Sequence, residues 1–315
     1  MPQPPGAARP PKRILSVGEC MVEMSHAGDG LWRQGFAGDT LNTAWYLRAL
    51  LPEDWAVDYF TVLGTDPLSE AMVRFMRDAG IGTGCIPRHP DRVAGLYMIS
   101  LKDGERSFTY WRDRSAARTL ADDTTQLQAA VEGADLLYVS GITMAILNDD
   151  GRTTLLDRMA KSRAEGTRVA FDPNLRPKLW KDAASMCRVI EEAAARADIV
   201  LPSHDDEAAH FGDASLGETA RRYAALGAGE VLVKNGGGAM ALSLAGAAPV
   251  ILPAPGMVTP LDTTGAGDSF NAGYLAARLT GCDPHQAMLR GHALAARVVR
   301  HFGALMPHDR LDTLR

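Results

Sequence analysis

Thr263-Thr264-Gly265-Ala266-Gly267-Asp268-Ser269-Phe270-Asn271-Ala272-Gly273 is the stretch from which the rest of the chain can be read. It follows Pro260-Leu261-Asp262 and runs into Tyr274-Leu275-Ala276-Ala277-Arg278-Leu279-Thr280-Gly281. Thr263 or Thr264 is placed to cap a helix starting near Ala266, and Gly281 is placed to end it. Gly265 and Gly267 permit a sharp turn and leave the first helical N–H groups uncovered. Those donors, with the positive end of the helix dipole, make a seat for phosphate. Asp268 stands inside that first turn. A carboxylate there stabilises a helix start, and it also stands where a general base for phosphoryl transfer is needed. Spacing alone leaves both readings open.

Upstream, short apolar runs alternate with longer amphipathic ones. Strand candidates are 13–18, 58–64, 135–140, 168–171, 199–201 and 231–234, with helical stretches near 40–51, 67–80, 151–166, 182–196 and 215–227. That alternation predicts an α/β fold: a mostly parallel central sheet with helices on both faces. Ligands then gather beyond the carboxyl ends of the strands. Those ends carry Gly18-Glu19, Gly64, Ser140-Gly141, Asp172-Pro173-Asn174, Ser203 and Lys234-Asn235-Gly236. Gly236-Gly237-Gly238 reads as a hairpin turn or as close backbone approach to a nucleotide, and the two can coexist.

One region breaks the alternation. Residues 93–114 read as two strands around Lys102-Asp103-Gly104-Glu105, where the Asp-Gly pair signals a hairpin. With a period of two, Arg106, Phe108, Tyr110 and Arg112 share one face. A small sheet of this kind makes a lid or a dimer surface, and its aromatic–cation face also suits a solvated edge.

The 315 residues are 46% hydrophobic and carry a formal net charge of −5, which suits one large α/β domain or one domain with an appendage, without a general pull toward nucleic acid or anionic membrane. No apolar run approaches the roughly 20 residues of a membrane span. Cys20, Cys85, Cys187 and Cys282 form no CxxC pair and read as reduced thiols of a cytoplasmic protein. The proline-rich residues 1–12 read as a loose arm ahead of a single domain, 13–315.

Other chemistries are set aside. There is no GxxxxGK[ST] loop and no GxSxG elbow, and no GxGxxG opens a helix after the first strand. His204 and His210, with Asp205 and Asp206, have no helical i,i+4 ligand spacing and read as a polar loop.

The segment Asp262–Gly273 resembles the C-terminal signature of the ribokinase-like (PfkB) sugar kinases. Gly35-Phe36-Ala37-Gly38-Asp39-Thr40-Leu41-Asn42-Thr43-Ala44 resembles their N-terminal sugar-binding signature. The similarity runs through nearly the whole chain after the first dozen residues. Within the family, Gly18-Glu19-Cys20-Met21, Tyr110-Trp111-Arg112, Tyr138–Thr143 and Asn174–Trp180 are most similar to bacterial 2-keto-3-deoxygluconate kinases. The resemblance implies a ribokinase-like three-layer sandwich with a small β lid from about 23–37 and 93–114. It implies ATP and Mg²⁺ as cofactors, a small-molecule sugar acid as partner, and a homo-oligomer joined through the lid.

Carried over by position, it makes Asp268 the base, with Gly265, Ala266 and Gly267 as the anion seat. Gly38, Asp39 and Asn42 hold sugar hydroxyls, Tyr97 and Tyr110 line the sugar pocket, and Arg112 and Arg176 meet a substrate carboxylate. Ser203, Lys234, Gly236, Gly265, Gly267 and His292 fall to the nucleotide. Two arginines fit an anionic acceptor, whereas a neutral hexose offers them nothing to pair with. Three positions depart from the pattern. Leu175 stands where tyrosine is frequent, Asn235 where arginine is, and Ser203-His204-Asp205-Asp206 where Asn-x-x-Glu is. The last leaves the magnesium-organising residue open between Asp206 and Glu207. The activity implied is phosphorylation of the 6-hydroxyl of 2-keto-3-deoxy-D-gluconate. The alternatives are another sugar kinase (for fructose or 2-ketogluconate) or a catalytically silent sugar-acid sensor, against which the intact Gly-Ala-Gly-Asp argues.

Overall fold

The structure, a computed structural model, describes residues 12–102 and 105–311. The chain opens with β1 (Lys12–Val17), forms the hairpin β2 (Met21–Gly28) and β3 (Leu31–Ala37), and returns through α1 (Asp39–Leu50) to β4 (Trp55–Phe60). Then come α2 (Pro67–Asp78), β5 (Gly95–Lys102), β6 (Glu105–Trp111), α3 (Thr124–Val131), β7 (Leu136–Ser140) and α4 (Gly141–Ile146). The next units are α5 (Asp149–Ala164), β8 (Arg168–Asp172), α6 (Ala183–Ala194), β9 (Ile199–Val200), α7 (His204–Phe211) and α8 (Leu216–Ala225). The chain closes with β10 (Glu230–Val233), β11 (Met240–Leu244), β12 (Val250–Leu252), α9 (Ala266–Leu279) and α10 (Pro284–Val298).

The central sheet has eight strands in the order β12-β11-β10-β9-β8-β7-β1-β4. β4, β1, β7, β8, β9 and β10 are parallel, and β11 and β12 close one edge antiparallel. Its buried strands are apolar on both faces, as a sheet covered on two sides requires. Ile14, Leu136 and Tyr138 enter one core, which holds residues of α1, α2, α9 and α10. Leu15, Leu137 and Val139 enter the other, with residues of α3, α5, α6 and α8. The chain moves from β1 to β4 on one side and resumes at β7 on the other. The switch point between β1 and β7 is therefore where a crevice opens at the carboxyl edge.

A second, four-stranded sheet in the order β3-β2-β5-β6 forms the lid, with β2 and β5 parallel at its centre. β5 and β6 pair antiparallel down to Lys102↔Glu105, as a two-residue turn requires, while Asp103 and Gly104 themselves lie outside the described residues. So does the expected arm, except for Lys12, which begins β1.

Several expectations change. Residues 61–64 leave the sheet after Phe60, and Leu63 keeps only an isolated bridge to Arg88. His204 and His210 lie on a helix, α7. Acidic Asp205, Asp206 and Glu207 favour its positive end, and left-handed Gly212 stops it. Neither Thr263 nor Thr264 caps α9. Thr264 gives its N–H and hydroxyl to Asp262 at 3.0 and 2.7 Å, and Gly265 (φ 75°) takes the cap position. Helices α3, α4 and α10 and strands β11 and β12 were not anticipated.

Candidate active site

Asp268 sits in the first turn of α9, half-buried, at the crevice between α9 and α1. Its Oδ2 accepts from Nδ2 of Asn42 at 2.7 Å, and its backbone carbonyl accepts from the Thr43 hydroxyl at 3.3 Å. Asn42 is held in turn: the Gly38 N–H donates to its Oδ1 at 3.4 Å. Burial pushes the Asp268 carboxyl up to about 7, and the nearby Asp39 charge pushes the same way. The Asn42 hydrogen bond opposes this, Asp172 adds to it, and Lys234 opposes it. Asp39 is itself raised, chiefly by burial, although Asn174 Nδ2 donates to its Oδ2 at 2.9 Å. Crowded carboxylates and desolvation thus keep a proton acceptor poised near neutrality.

Beside it is a buried polar cluster from four strands and helices. Lys234, just after β10, donates to Asn271 Oδ1 at 2.9 Å and pairs with Asp172 at 3.4 Å. Asn271 Nδ2 donates to Asp172 Oδ2 at 2.7 Å and to the Tyr138 hydroxyl at 3.1 Å. A Cβ added at Gly267 would lie 3.8 Å from Lys234 Nζ, which places that ammonium at the helix start. The anion seat is narrower than its sequence suggests, because the Ala266 N–H already donates to Thr263 O at 3.2 Å. The N–H groups of Gly267 and Asp268 have no acceptor among the described residues. Gly265 supplies the turn: its φ of 75° is left-handed, and a Cβ there would lie 2.9 Å from Ala304 O. Asp262 braces that turn, since its Oδ2 also accepts from the Gly303 N–H at 2.6 Å.

Ser203, Lys234, Gly236, Gly267 and His292 all line one cleft of about 370 Å³, walled by Met240, Met257, Val258, Phe270 and Val299. An apolar slot ending at an anion seat fits a nucleotide, base inside and phosphates at the helix. The β10–β11 connection forms one wall, so Gly236 and Gly237 are both hairpin and lining. A larger cavity of about 440 Å³ opens at the amino ends of β7 and β8. Its one buried cation, Arg158, is already held by Ser162 and Glu165.

The residues drawn from the lid divide. Tyr97 packs with Met21, Ala37, Ile99 and Ala304, so this lid face meets the loop that borders Gly265. Tyr97 donates to Glu23, and its ring lies 5.8 Å from that of exposed Tyr110. Arg112 is buried and ion-paired to Glu19, leaving Nε without an acceptor among the described residues. Arg176 is elsewhere: its side chain is 51% exposed and stands 3.6 Å from Asp206. Of the two acids considered for magnesium, Glu207 is fully buried and held by Arg222 and Tyr223. It cannot reach the cleft. Asp206 is half-buried, with its carboxyl raised by burial and lowered by Arg176. No cluster of three potential ligands occurs among the described residues. Magnesium needs no such cage, since one or two carboxylates and the substrate's phosphates suffice. Asp172, Asn271, Asp262 and Tyr138 were missed as site residues, although Asp262 and Asn271 lie inside the quoted C-terminal signature, Tyr138 opens another resembling stretch, and Asp172 is an acid at a strand's carboxyl end.

The pfkB family carbohydrate kinase model matches residues 11–309. A 2-dehydro-3-deoxygluconokinase of Dickeya dadantii (strain 3937) is 39% identical over 304 residues, covering 94% of this chain and 97% of that protein. The Escherichia coli (strain K12) 2-dehydro-3-deoxygluconokinase is 38% identical, covering 95% and 98%. The crystal structure of a PfkB protein from Polaromonas sp. JS666 superposes with a TM-score of 0.82 at 27% identity, covering 96% of this chain and 99% of that one. The chain belongs to the pfkB family of carbohydrate kinases.

Proposed function

We propose that this protein is an ATP-dependent 2-dehydro-3-deoxygluconokinase, which phosphorylates the 6-hydroxyl of 2-keto-3-deoxy-D-gluconate. The observation that carries this reading is the 39% and 38% identity, over nearly the full length, to kinases of that name, joined to a carboxylate poised beside an anion seat. Asp268 takes the proton of the 6-hydroxyl while its oxygen bonds to the γ-phosphorus and the bond to the ADP leaving oxygen breaks. Asn42 fixes the carboxylate that receives the proton. The Gly267 and Asp268 N–H groups and the Lys234 ammonium neutralise charge on the transferred group. Asp206, close enough to Lys234 and Asp172 to feel their charges, would steady magnesium, which would screen the phosphates.

Gly38, Asp39 and Asn42 hold the sugar from below, with Tyr97 and Tyr110 above it. Arg176, which is half exposed, is offered to its carboxylate, and Arg112 joins it only when the lid moves to uncover its buried Nε. The lid also joins two copies: β6 is an edge strand with Phe108, Tyr110 and Trp111 exposed. Four free cysteines suit a reducing cytoplasm. A panel of 2-keto-3-deoxygluconate, 2-ketogluconate, fructose and ribose, each with ATP, tests the reading. Preference for the deoxy sugar acid by tenfold or more in kcat/KM is expected. Preference for fructose overturns the substrate, and ATP turnover indifferent to every acceptor overturns the kinase reading.

A further inference from the structure

The lid packs against the body, as Tyr97 does on Ala304 and Phe36 on Phe75, and is tied to it covalently where the backbone crosses between them. Gly18-Glu19-Cys20 links β1 to β2, Gly38 links β3 to α1, Gly95 begins β5, and residues 112–115 follow β6. Glu19 touches every one of these crossings. Its carboxylate accepts from Arg112 and, on the other oxygen, from the Ser115 hydroxyl. Its backbone carbonyl lies where a Cβ on Gly38 would come within 2.1 Å, and its Oε1 where a Cβ on Gly95 would come within 2.9 Å. The pair is sealed, with side chains 1% exposed for Glu19 and 7% for Arg112.

Burying such a pair gives little net stability compared with an apolar substitute. Its worth lies in geometry: one carboxylate fixes how far the strands entering and leaving the lid stand apart. We propose that Glu19 is the positioning residue of the lid hinge. It fixes the Arg112 guanidinium, whose Nε is buried and unpartnered while the hinge is sealed, so that the acceptor's carboxylate meets it only when the lid moves, and it seats the lid over the sugar. The same residue is three contacts from Asp268. Gly38, pressed on the Glu19 carbonyl, donates to Asn42, and Asn42 donates to Asp268. The carboxylate-binding half of this inference rests on the sugar-acid reading above; the hinge half does not.

Glu19→Gln is the test, because glutamine keeps the shape and can still bond Arg112 and Ser115 while losing the charge. KM for 2-keto-3-deoxygluconate is expected to rise about tenfold, the loss of one charge-assisted contact. KM for ATP should stay within about twofold. After Arg112→Leu, adding Glu19→Gln should change that sugar-acid KM no further. Hydrogen exchange on β5 and β6 should quicken in Glu19→Gln while α9 keeps its protection. A sugar-acid KM within twofold of the parent's, or effects of Glu19 and Arg112 that simply add, overturns the proposal. So does a fall in kcat and melting temperature with KM unmoved, which would mark Glu19 as merely structural. If the parent prefers a neutral sugar, the substrate reading fails and the exchange experiment alone decides the hinge. Should Glu19→Gln not fold, Ser115→Ala, which releases one anchor only, is measured in the same way and must show the same pattern.

Discussion

Asn42 and Asp268, 226 positions apart in sequence, meet at 2.7 Å with the amide donating to the carboxylate. This bond stabilises the ionised form of a carboxyl that burial and Asp39 hold well above its ordinary value. As the proposed base, Asp268 must ionise in the free enzyme before it can accept a proton, so it should set the acid limb of kcat/KM. Asn42→Ala removes a downward pull, and the limb should move to higher pH. Asp39→Asn removes an upward one and should move it lower. Profiles of kcat/KM against pH for the parent and both variants check this. Limbs that coincide would remove Asp268 from the rate equation.

Asp268→Asn keeps the shape and removes the acceptor. Turnover should fall about 10²–10⁴-fold, while nucleotide binding measured by calorimetry survives because the seat is backbone and Lys234. A variant with more than about a tenth of parental turnover would show that Asp268 is not the base.

The same substitution has a stability consequence whose sign follows from the raised carboxyl. The folded protein holds the Asp268 proton more tightly than the unfolded chain does. Its stabilising contribution is therefore full below the ordinary carboxylate range and is lost as pH rises from about 4 to about 7. Asp268→Asn should melt higher than the parent at pH 8, by on the order of a few degrees, with the gain vanishing near pH 4. A gain that grows toward acid would reverse the assignment.

The two glycines of the anion seat should fail differently. Gly267 is exposed, its φ is not left-handed, and a new Cβ would meet only Lys234 Nζ. Gly267→Ala should leave the melting temperature within about 2 °C yet lower kcat by tenfold or more, because the methyl intrudes between donor and phosphate. Gly265→Ala forces a left-handed residue, costing about 1–2 kcal/mol, against Ala304 O. It should lose several degrees in a thermal melt as well as activity.

The parallel sheet was legible because its strands are short apolar runs bounded by polar, glycine-marked ends. The helices α6 and α8 were legible from amphipathic period, and α5 only as a long polar stretch between two strand candidates. What escaped were elements defined by partners far away in sequence. β11 and β12 exist by pairing along the antiparallel edge, and α4 is a short turn capped by Ser140. The cleft proposed for the nucleotide was legible in part, since Ser203, Lys234, Gly236, Gly267 and His292 line one cavity while Gly265 lies outside its lining. The Asp172–Asn271–Lys234 cluster was not, because nothing local marks a bond between residues 99 apart. Neither was the Asx turn of Asp262, which displaces the expected threonine cap.

Lid-to-lid association gives a further test. Trp111 is 56% exposed on the edge strand β6, beside exposed Phe108 and Tyr110. The parent should run as a dimer in light scattering at micromolar concentration, and Trp111→Asp should shift it to monomer without lowering the melt of the body. A monomeric parent, or a dimer indifferent to this charge, would place the interface elsewhere.

The two arginines expected to share a carboxylate stand in different environments, and their substitutions should separate. Arg176 is half exposed and its partners are Leu175 O and Asp206, so Arg176→Leu leaves no buried charge stranded. It should raise KM for 2-keto-3-deoxygluconate by about 10–100-fold, leave KM for ATP nearly unchanged and keep the parental melting temperature. Arg112→Leu also removes a contact, but it abandons Glu19 in a sealed hinge. Breaking a buried pair in this way costs about 3–5 kcal/mol, so a drop in melting temperature on the order of 10 °C should accompany the raised KM. For neutral fructose, a poor acceptor in the parent, Arg176→Leu should cost far less, because there is no carboxylate to lose. Steady-state kinetics on both acceptors, with melts of both variants, resolve the matter. If Arg176→Leu weakens fructose and the sugar acid equally, Arg176 does not read the carboxylate, and the sugar-acid assignment loses its exposed cation.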